Sequence, residues 1–412
     1  MKYGCIGEHL KHSFSKEIHN ALADYEYEIL EIEKDKLSEF AEKKDFSAIN
    51  VTIPYKEQIM PHMYFIDEHA RSIGAVNTVV NRDGRLYGYN TDFYGMSMLI
   101  KHANIDITDK KVAILGTGGT SKTSLAVAKA LGAREIIRVS RSAREDAVSY
   151  SQLYENHKDV EIIINTTPTG MFPSIFDSPV DLSCFKKLSG VIDAVYNPLR
   201  TTLILESRKR KISAEGGLYM LVAQAVRASE IFIDKSYDDA ELSRVYKKIF
   251  SEKENVVLIG MPASGKSTVG KLLSEKLGRK FIDTDILIEE KAKKSIPEIF
   301  SEYGERGFRE IEAEVIREAS AITGAVIATG GGAVLREDNV DALKRNGRLY
   351  FIDRPLCDLI PTEDRPLSST KEAIEKRYNE RYSIYTLSAD VKIDASCDAD
   401  GVSDKIIGDF LK

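Results

Sequence analysis

Residues 260–268 read GMPASGKST, and no other stretch of the chain constrains the fold so tightly. The GxxxxGK[ST] spacing requires a strand ending at its first glycine and a helix beginning at its lysine. Only then do the loop amides and the helix N-terminus converge on phosphate oxygens. Both flanks comply: NVVLI (255–259) precedes the loop and an amphipathic run follows it. In that context Gly260, Ala263, Ser264, Gly265, Lys266, Ser267 and Thr268 line a nucleotide cradle. Lys266 reaches the β- and γ-phosphates of ATP, and Ser267 ligates Mg2+. A strand–turn–helix with chance glycines is the alternative, and the matched flanks argue against it. Such a loop usually follows the first strand of its own domain, here NVVLI, so the residues before about 250 must fold into something else.

Short apolar runs alternate with helical periodicity nearly throughout, which predicts an α/β fold. A first series of strands is expected at KYGCIG, YEILEI, SAINVTI and a hairpin TVVNRDGRLYGYN that turns at Asp83-Gly84. A second runs through KVAILG, EIIRVS, VEIIINTT, GVIDAVY and ISAEG, and a third through NVVLIG, FIDTD, AVIATGG, RLYFID and VKID. The charged stretch DKSYDDAELSRVYKKIFSEKEN reads as a helix end plus linker. These patterns divide the chain into 1–102, with the apolar helix near 217–233 returning to it, then 103–250 and 251–412. A net charge of −6 without a basic run excludes nucleic acid and anionic membrane as expected partners. Cys5, Cys184, Cys357 and Cys397 form no CxxC pair, and no apolar run is long enough for a signal peptide or a span. A soluble, cytoplasmic protein with reduced thiols is expected.

A second glycine-rich loop, ILGTGGTSKTS, carries Gly116, Gly118 and Gly119 after a strand and opens a helix, with Ser121 where a dinucleotide fingerprint has its third glycine. An NAD site places an acid at the end of the next strand to take the ribose hydroxyls. Here that end reads RVSRSAR, with Ser140, Arg141 and Ser142 and no carboxylate. A guanidinium and hydroxyls suit a 2′-phosphate, so NADP is favoured over NAD.

GEHLKHSFSKEIHN, NVTIPYKE, GAVNTV, GYNTDFYG, NTTPTGM, DAVYNPLRT and GGLYMLVAQA follow one another in residues 7–225. In kind and order they resemble shikimate dehydrogenase, which reduces the 3-keto group of 3-dehydroshikimate with NADPH. The resemblance implies that Lys56 and Asp92 are the catalytic pair. Hydride addition leaves an alkoxide that needs a positioned acid, and a neighbouring carboxylate tunes the ammonium. It also implies that Ser13 and Ser15 bind the substrate carboxylate, that Thr52, Asn77, Tyr196 and Gln224 surround the ring, and that Gly217 lies on the cofactor side. Thr120, Ser121, Leu10 and Lys16 depart from the family's usual residues.

From about 255 onward the chain resembles shikimate kinase. In FIDTD, Asp283 and Asp285 stand two apart at a strand end, which predicts one common face. The resemblance implies Asp283 for the Mg2+ shell and Asp285 for orienting the accepting hydroxyl. In GERGFREIEAEVIREA, Arg309 falls off the stripe Ile311, Val315, Ile316 and Ala319. It is implied to grip the shikimate carboxylate with Arg381 of NERYSIY. Gly331 in ATGGGAV is implied to offer backbone amides to the substrate, and Arg365 in DRPL to be a catalytic lid arginine, on a lid shorter than the family's. The expected architecture is an α/β substrate domain, a Rossmann NADP domain and a P-loop kinase domain with a parallel sheet. The two resemblances imply consecutive reactions; the oligomeric state is left open. A quinate dehydrogenase joined to a kinase is disfavoured by Arg141. A metabolite-binding regulator is disfavoured by the complete set of catalytic residues.

Overall fold

The computed structural model describes residues 2–8, 10, 13–360 and 370–411; the expected lid arginine, Arg365, lies outside them. The chain divides into two compact units, Met1–Ile249 and Phe250–Lys412.

In the first unit, one sheet holds β1 (Tyr3–Gly7), β2 (Tyr27–Glu31), β3 (Ala48–Val51), β4 (Phe65–Ile66), β5 (Thr78–Arg82) and β6 (Arg85–Tyr89) in the order β2-β1-β3-β5-β6-β4. β1 pairs with β2 and β3 in parallel, whereas β5 is antiparallel to both β3 and β6. The β5–β6 turn has positive φ at Asp83 and Gly84, as a two-residue hairpin demands. The second sheet is all parallel: β7 (Lys111–Leu115), β8 (Glu135–Ser140), β9 (Val148–Ser149), β10 (Ile162–Asn165), β11 (Gly190–Asp193) and β12 (Ser213–Glu215), in the order β12-β11-β10-β7-β8-β9. β7 and β10 are buried along their whole length, because helices cover both faces of such a sheet.

The helix Leu218–Ile233 follows the second sheet in sequence yet packs on the first: Ala228 and Phe232 cluster with Cys5, Tyr27, Ala48 and Val80. It crosses the helix Asp92–His102 at Gly95, where an added Cβ would lie 2.8 Å from the Met220 carbonyl. The stretch read as a helix end plus linker instead forms a helix of its own, Asp239–Lys253, with Leu242, Val245 and Ile249 buried. Those three form an i, i+3, i+7 stripe that its high charge content conceals.

The second unit has one parallel sheet, β13 (Asn255–Ile259), β14 (Lys280–Asp283), β15 (Ala325–Ala328), β16 (Gly347–Asp353) and β17 (Val391–Asp394), ordered β14-β15-β13-β16-β17. The order reverses at central β13, so the crevice beyond its C-terminal end is the expected ligand position. The stripe foreseen on the helix Ile296–Ser320 is buried at Val315, Ile316 and Ala319; Ile311 is only partly covered.

Candidate active sites

Strand direction assembles the first site. β1 and β3 run parallel, β5 runs against β3, and β6 against β5. The C-terminal ends of β1, β3 and β6 therefore meet the N-terminal end of β5. That edge gathers Ser13 and Ser15, Thr52 and Lys56, Asn77, and Asp92. Lys56 Nζ donates to Asp92 Oδ2 at 2.5 Å, with side chains 13% and 7% exposed. Asn77 Nδ2 donates to Asp92 Oδ1 at 2.8 Å, and Asn77 Oδ1 accepts from the Thr91 amide at 2.7 Å. Both carboxylate oxygens are thus held, and Asp92 is locked to one rotamer. The Thr91 hydroxyl reaches Gln224 Oε1 at 3.4 Å, tying in the helix that returns from the second sheet. Thr52 stands beside Gly7, whose added Cβ would meet its methyl.

Ser13 Oγ donates to Ser15 Oγ at 3.0 Å, and the Tyr196 hydroxyl bonds to Ser13. Burial pushes the Tyr196 phenol up to about 12, so it stays a neutral donor. Its loop is fixed by buried Asp193, which accepts from Val195 N at 3.0 Å, Asn165 Nδ2 at 2.9 Å and Thr201 Oγ1 at 2.7 Å. Sequence reasoning missed Asp193 and Thr91, whose roles depend on partners far along the chain.

The loop after β7 meets this site. A Cβ on Gly119 would lie 3.7 Å from Lys56 Cδ, which brings the glycine-rich loop to Lys56. Gly116 has φ +108° and lies against Thr166, and no atom comes within 4 Å of a Cβ built on Gly118. Open space over an extended backbone beside a helix N-terminus fits a pyrophosphate. Ser121, in the third-glycine position, is buried and donates to the Gly116 carbonyl at 2.6 Å, so the departure stiffens the loop. At the end of β8, Ser140 Oγ donates to the Ser142 carbonyl and Arg141 is exposed. Asp146, an acid not foreseen, is taken by Arg138, which also reaches the Thr117 carbonyl at 3.4 Å. Gly217 packs against the Ala194 carbonyl and its amide donates to Val195 O at 2.9 Å.

In the second unit the loop after β13 turns through positive φ at Gly260, Ala263 and Gly265, which points successive amides inward. Lys266 is buried and donates to the Gly260 and Met261 carbonyls at 2.9 and 2.8 Å. Ser264 Oγ is buried and has no hydrogen-bond partner among the described residues. Ser267 Oγ donates to Asp283 Oδ2 at 2.6 Å. This hydroxyl–carboxylate pair offers the hard oxygen donors that suit Mg2+, which keeps waters and phosphate oxygens for its other positions.

Asp283 and Asp285 come together, but by capping and not by strand alternation. Asp283 is the N-cap of the helix Thr284–Ala292, and its Oδ1 accepts from the Asp285 amide at 3.0 Å. The strand ends at Asp283, two residues short of Asp285. Asp285 Oδ1 lies against Gly330, and a Cβ on Gly331 would lie 2.8 Å from Pro262. The triple glycine therefore abuts the phosphate loop. Any side chain at Gly332 would collide with the Arg309 guanidinium. Arg309 pairs with Glu312 at 2.7 Å and Glu305 at 3.2 Å; burial raises the Glu312 carboxyl even beside Arg309. Arg381 Nη1 donates to Gly331 O at 3.4 Å, and the Tyr385 hydroxyl donates to the same carbonyl. Arg377, one turn before Arg381, is held down by burial and then by the Arg381 charge. Glu312, Tyr385 and Arg377 were missed. Their i+3 or i±4 spacing from Arg309 and Arg381 was the available signal.

Residues 262–410 match the family model described as shikimate kinase, and residues 5–79 match that of the shikimate dehydrogenase substrate binding domain. A shikimate dehydrogenase (NADP(+)) of Clostridium beijerinckii is 36% identical over 259 residues, covering 59% of this chain and 96% of the relative. The crystal structure of shikimate dehydrogenase 1 from Peptoclostridium difficile aligns with a TM-score of 0.57 at 36% identity, over 60% of this chain and 98% of that one. A chorismate mutase/shikimate 5-dehydrogenase fusion from Clostridium acetobutylicum aligns with a TM-score of 0.56 at 34% identity, over 60% and 96%.

Proposed function

Because the chain belongs to the shikimate dehydrogenase family and continues into a shikimate kinase domain, we propose a division of labour among its residues. The protein is bifunctional: it reduces 3-dehydroshikimate to shikimate with NADPH and phosphorylates shikimate with ATP and Mg2+.

In the reductase, NADPH supplies the hydride when bound. Lys56 gives its proton to the developing alkoxide, and Asp92 holds the ammonium at the carbonyl while Asn77 fixes the carboxylate. Ser13, Ser15 and Tyr196 donate to the substrate carboxylate; Thr52, Asn77 and Gln224 bind the ring hydroxyls. Gly116, Gly118 and Gly119 receive the pyrophosphate, Gly217 borders the cofactor, and Ser140, Arg141 and Ser142 receive the 2′-phosphate. The observation that carries this reading is the Lys56–Asp92 pair seated against Gly119.

In the kinase, MgATP supplies the phosphoryl group when bound. Asp285 orients the accepting hydroxyl, Arg309 and Arg381 hold the carboxylate against Gly331, and Ser267 and Asp283 hold the metal. Lys266 and the loop from Gly260 to Thr268 bind the phosphates, with Arg365 completing the charge. The contact of the triple glycine with Pro262 supports this, since it sets the acceptor pocket beside the phosphate loop.

We assign 1–102 with the helix near 217–233 to substrate binding, 103–250 to NADP and 251–412 to phosphorylation. Among the described residues no helix is long and apolar enough to cross a membrane, and the four cysteines are free; both fit a cytoplasmic enzyme. The test is incubation with 3-dehydroshikimate, NADPH, ATP and Mg2+, followed by mass spectrometry. Omitting ATP should stop the reaction at shikimate, and omitting NADPH should leave 3-dehydroshikimate unchanged. Phosphate appearing on 3-dehydroshikimate instead would overturn the order of steps.

A further inference from the structure

Arg354 follows β16 directly, and the assignments above give it no part. Side chains two apart on a strand share a face, so Arg354 continues the face of Ile352. The Ile352 side chain clusters with Val269 and Leu273 of the helix Lys266–Leu277. Followed past the strand end, that face leads to the helix N-terminus and the phosphate loop. Arg354 Nε donates to the Ser264 carbonyl at 3.3 Å, and Nη2 stands 3.9 Å from the position of a Cβ on Gly265. Neighbouring Asp353 is engaged by Lys392 at 2.8 Å. Among the described residues Arg354 itself has no carboxylate within ion-pair distance. A guanidinium tethered by one nitrogen, half-exposed and without a counter-ion among the described residues, keeps its two Nη groups for a ligand. The loop beneath it is built for an anion.

We propose that Arg354 is a nucleotide-binding residue whose Nη groups contact the phosphates of ATP, a cation fixed to the sheet rather than to the lid. This rests on the phosphate-loop reading above. The experiment is calorimetric titration of the full chain with MgADP at several salt concentrations. The variants are Arg354→Ala and Arg354→Lys, with the shikimate KM and the NADPH-dependent rate as controls. Arg354→Ala should raise the MgADP Kd about ten- to a hundredfold and flatten its salt dependence. Arg354→Lys should recover part of the loss, and both controls should stay within about twofold. Equal MgADP affinity in wild type and Arg354→Ala overturns the assignment. A loss with unchanged salt dependence moves Arg354 to the base and overturns the phosphate contact. If the alanine variant loses shikimate binding as well, it is misfolded, and Arg354→Lys decides by the same readouts. A wild-type chain that binds no MgADP would instead defeat the phosphate-loop reading, and this proposal with it.

Discussion

At the scale of single residues, both proposed chemistries rest on a largely buried cation held by a carboxylate. Lys56 is paired with a carboxylate that is itself pinned by Asn77, so its proton is held at one place. Lys56→Ala should slow shikimate formation about 10²–10⁴-fold, the usual worth of a positioned acid. Phosphorylation of added shikimate should persist, and an intact reductase rate would remove Lys56 from proton transfer. Arg141 makes a separable claim. Arg141→Ala should weaken NADPH about ten- to a hundredfold and leave NADH nearly unchanged. Equal losses for both would show that Arg141 does not read the 2′-phosphate. In the kinase, Arg309 has its fork fixed by Glu305 and Glu312. Arg309→Lys keeps the charge but not the planar geometry. The shikimate KM should rise well beyond the ATP KM, and the reverse pattern would move Arg309 to the nucleotide.

Elements show what is legible in a linear chain. Both glycine loops announced themselves, because a loop that must meet a phosphate with its own backbone encodes its conformation locally. The lysine–carboxylate pair and the two arginines were reached through resemblance, not spacing. Asp283 and Asp285 are neighbours for a different local reason from the one expected: a helix cap joins them, and caps depend on where a strand stops. Thr91 and Asp193 stayed hidden because partners that give them importance, Gln224 and Asn165, lie far away in the sequence. The helix Asp239–Lys253 was obscured by charge on its outer face. Asp193 carries a pH consequence for the β10–β11 element. Burial pushes its carboxyl up to about 6 despite three donors, whereas an exposed aspartate titrates near ~3.9. The folded state therefore holds this proton more tightly than the unfolded chain. Its stabilising contribution, about 3 kcal/mol, is complete below about pH 4 and lost as pH rises through about 6. Hydrogen exchange of the β10 and β11 peptides should accelerate across that window beyond its intrinsic dependence, and Asp193→Asn should flatten the rise. A flat wild-type profile would mean that Asp193 does not titrate between the two states in that window.

For the whole molecule, charge decides what the join can do. A net −6 gives the shikimate anion no general attraction, and a small ligand escapes quickly without electrostatic guidance. Shikimate made by the first unit should therefore mix with bulk. With labelled 3-dehydroshikimate and excess unlabelled shikimate, the label in shikimate 3-phosphate should be diluted. Undiluted label would require guided transfer. The division of one chain into two compact units then matters less for where the intermediate travels than for how many copies of each catalyst exist. Translation delivers the two activities in strict one-to-one stoichiometry, so no change in expression can alter their ratio. For this chain, the balance between making and consuming shikimate is therefore set by the turnover efficiencies of its two sites, not by how much of the chain is made.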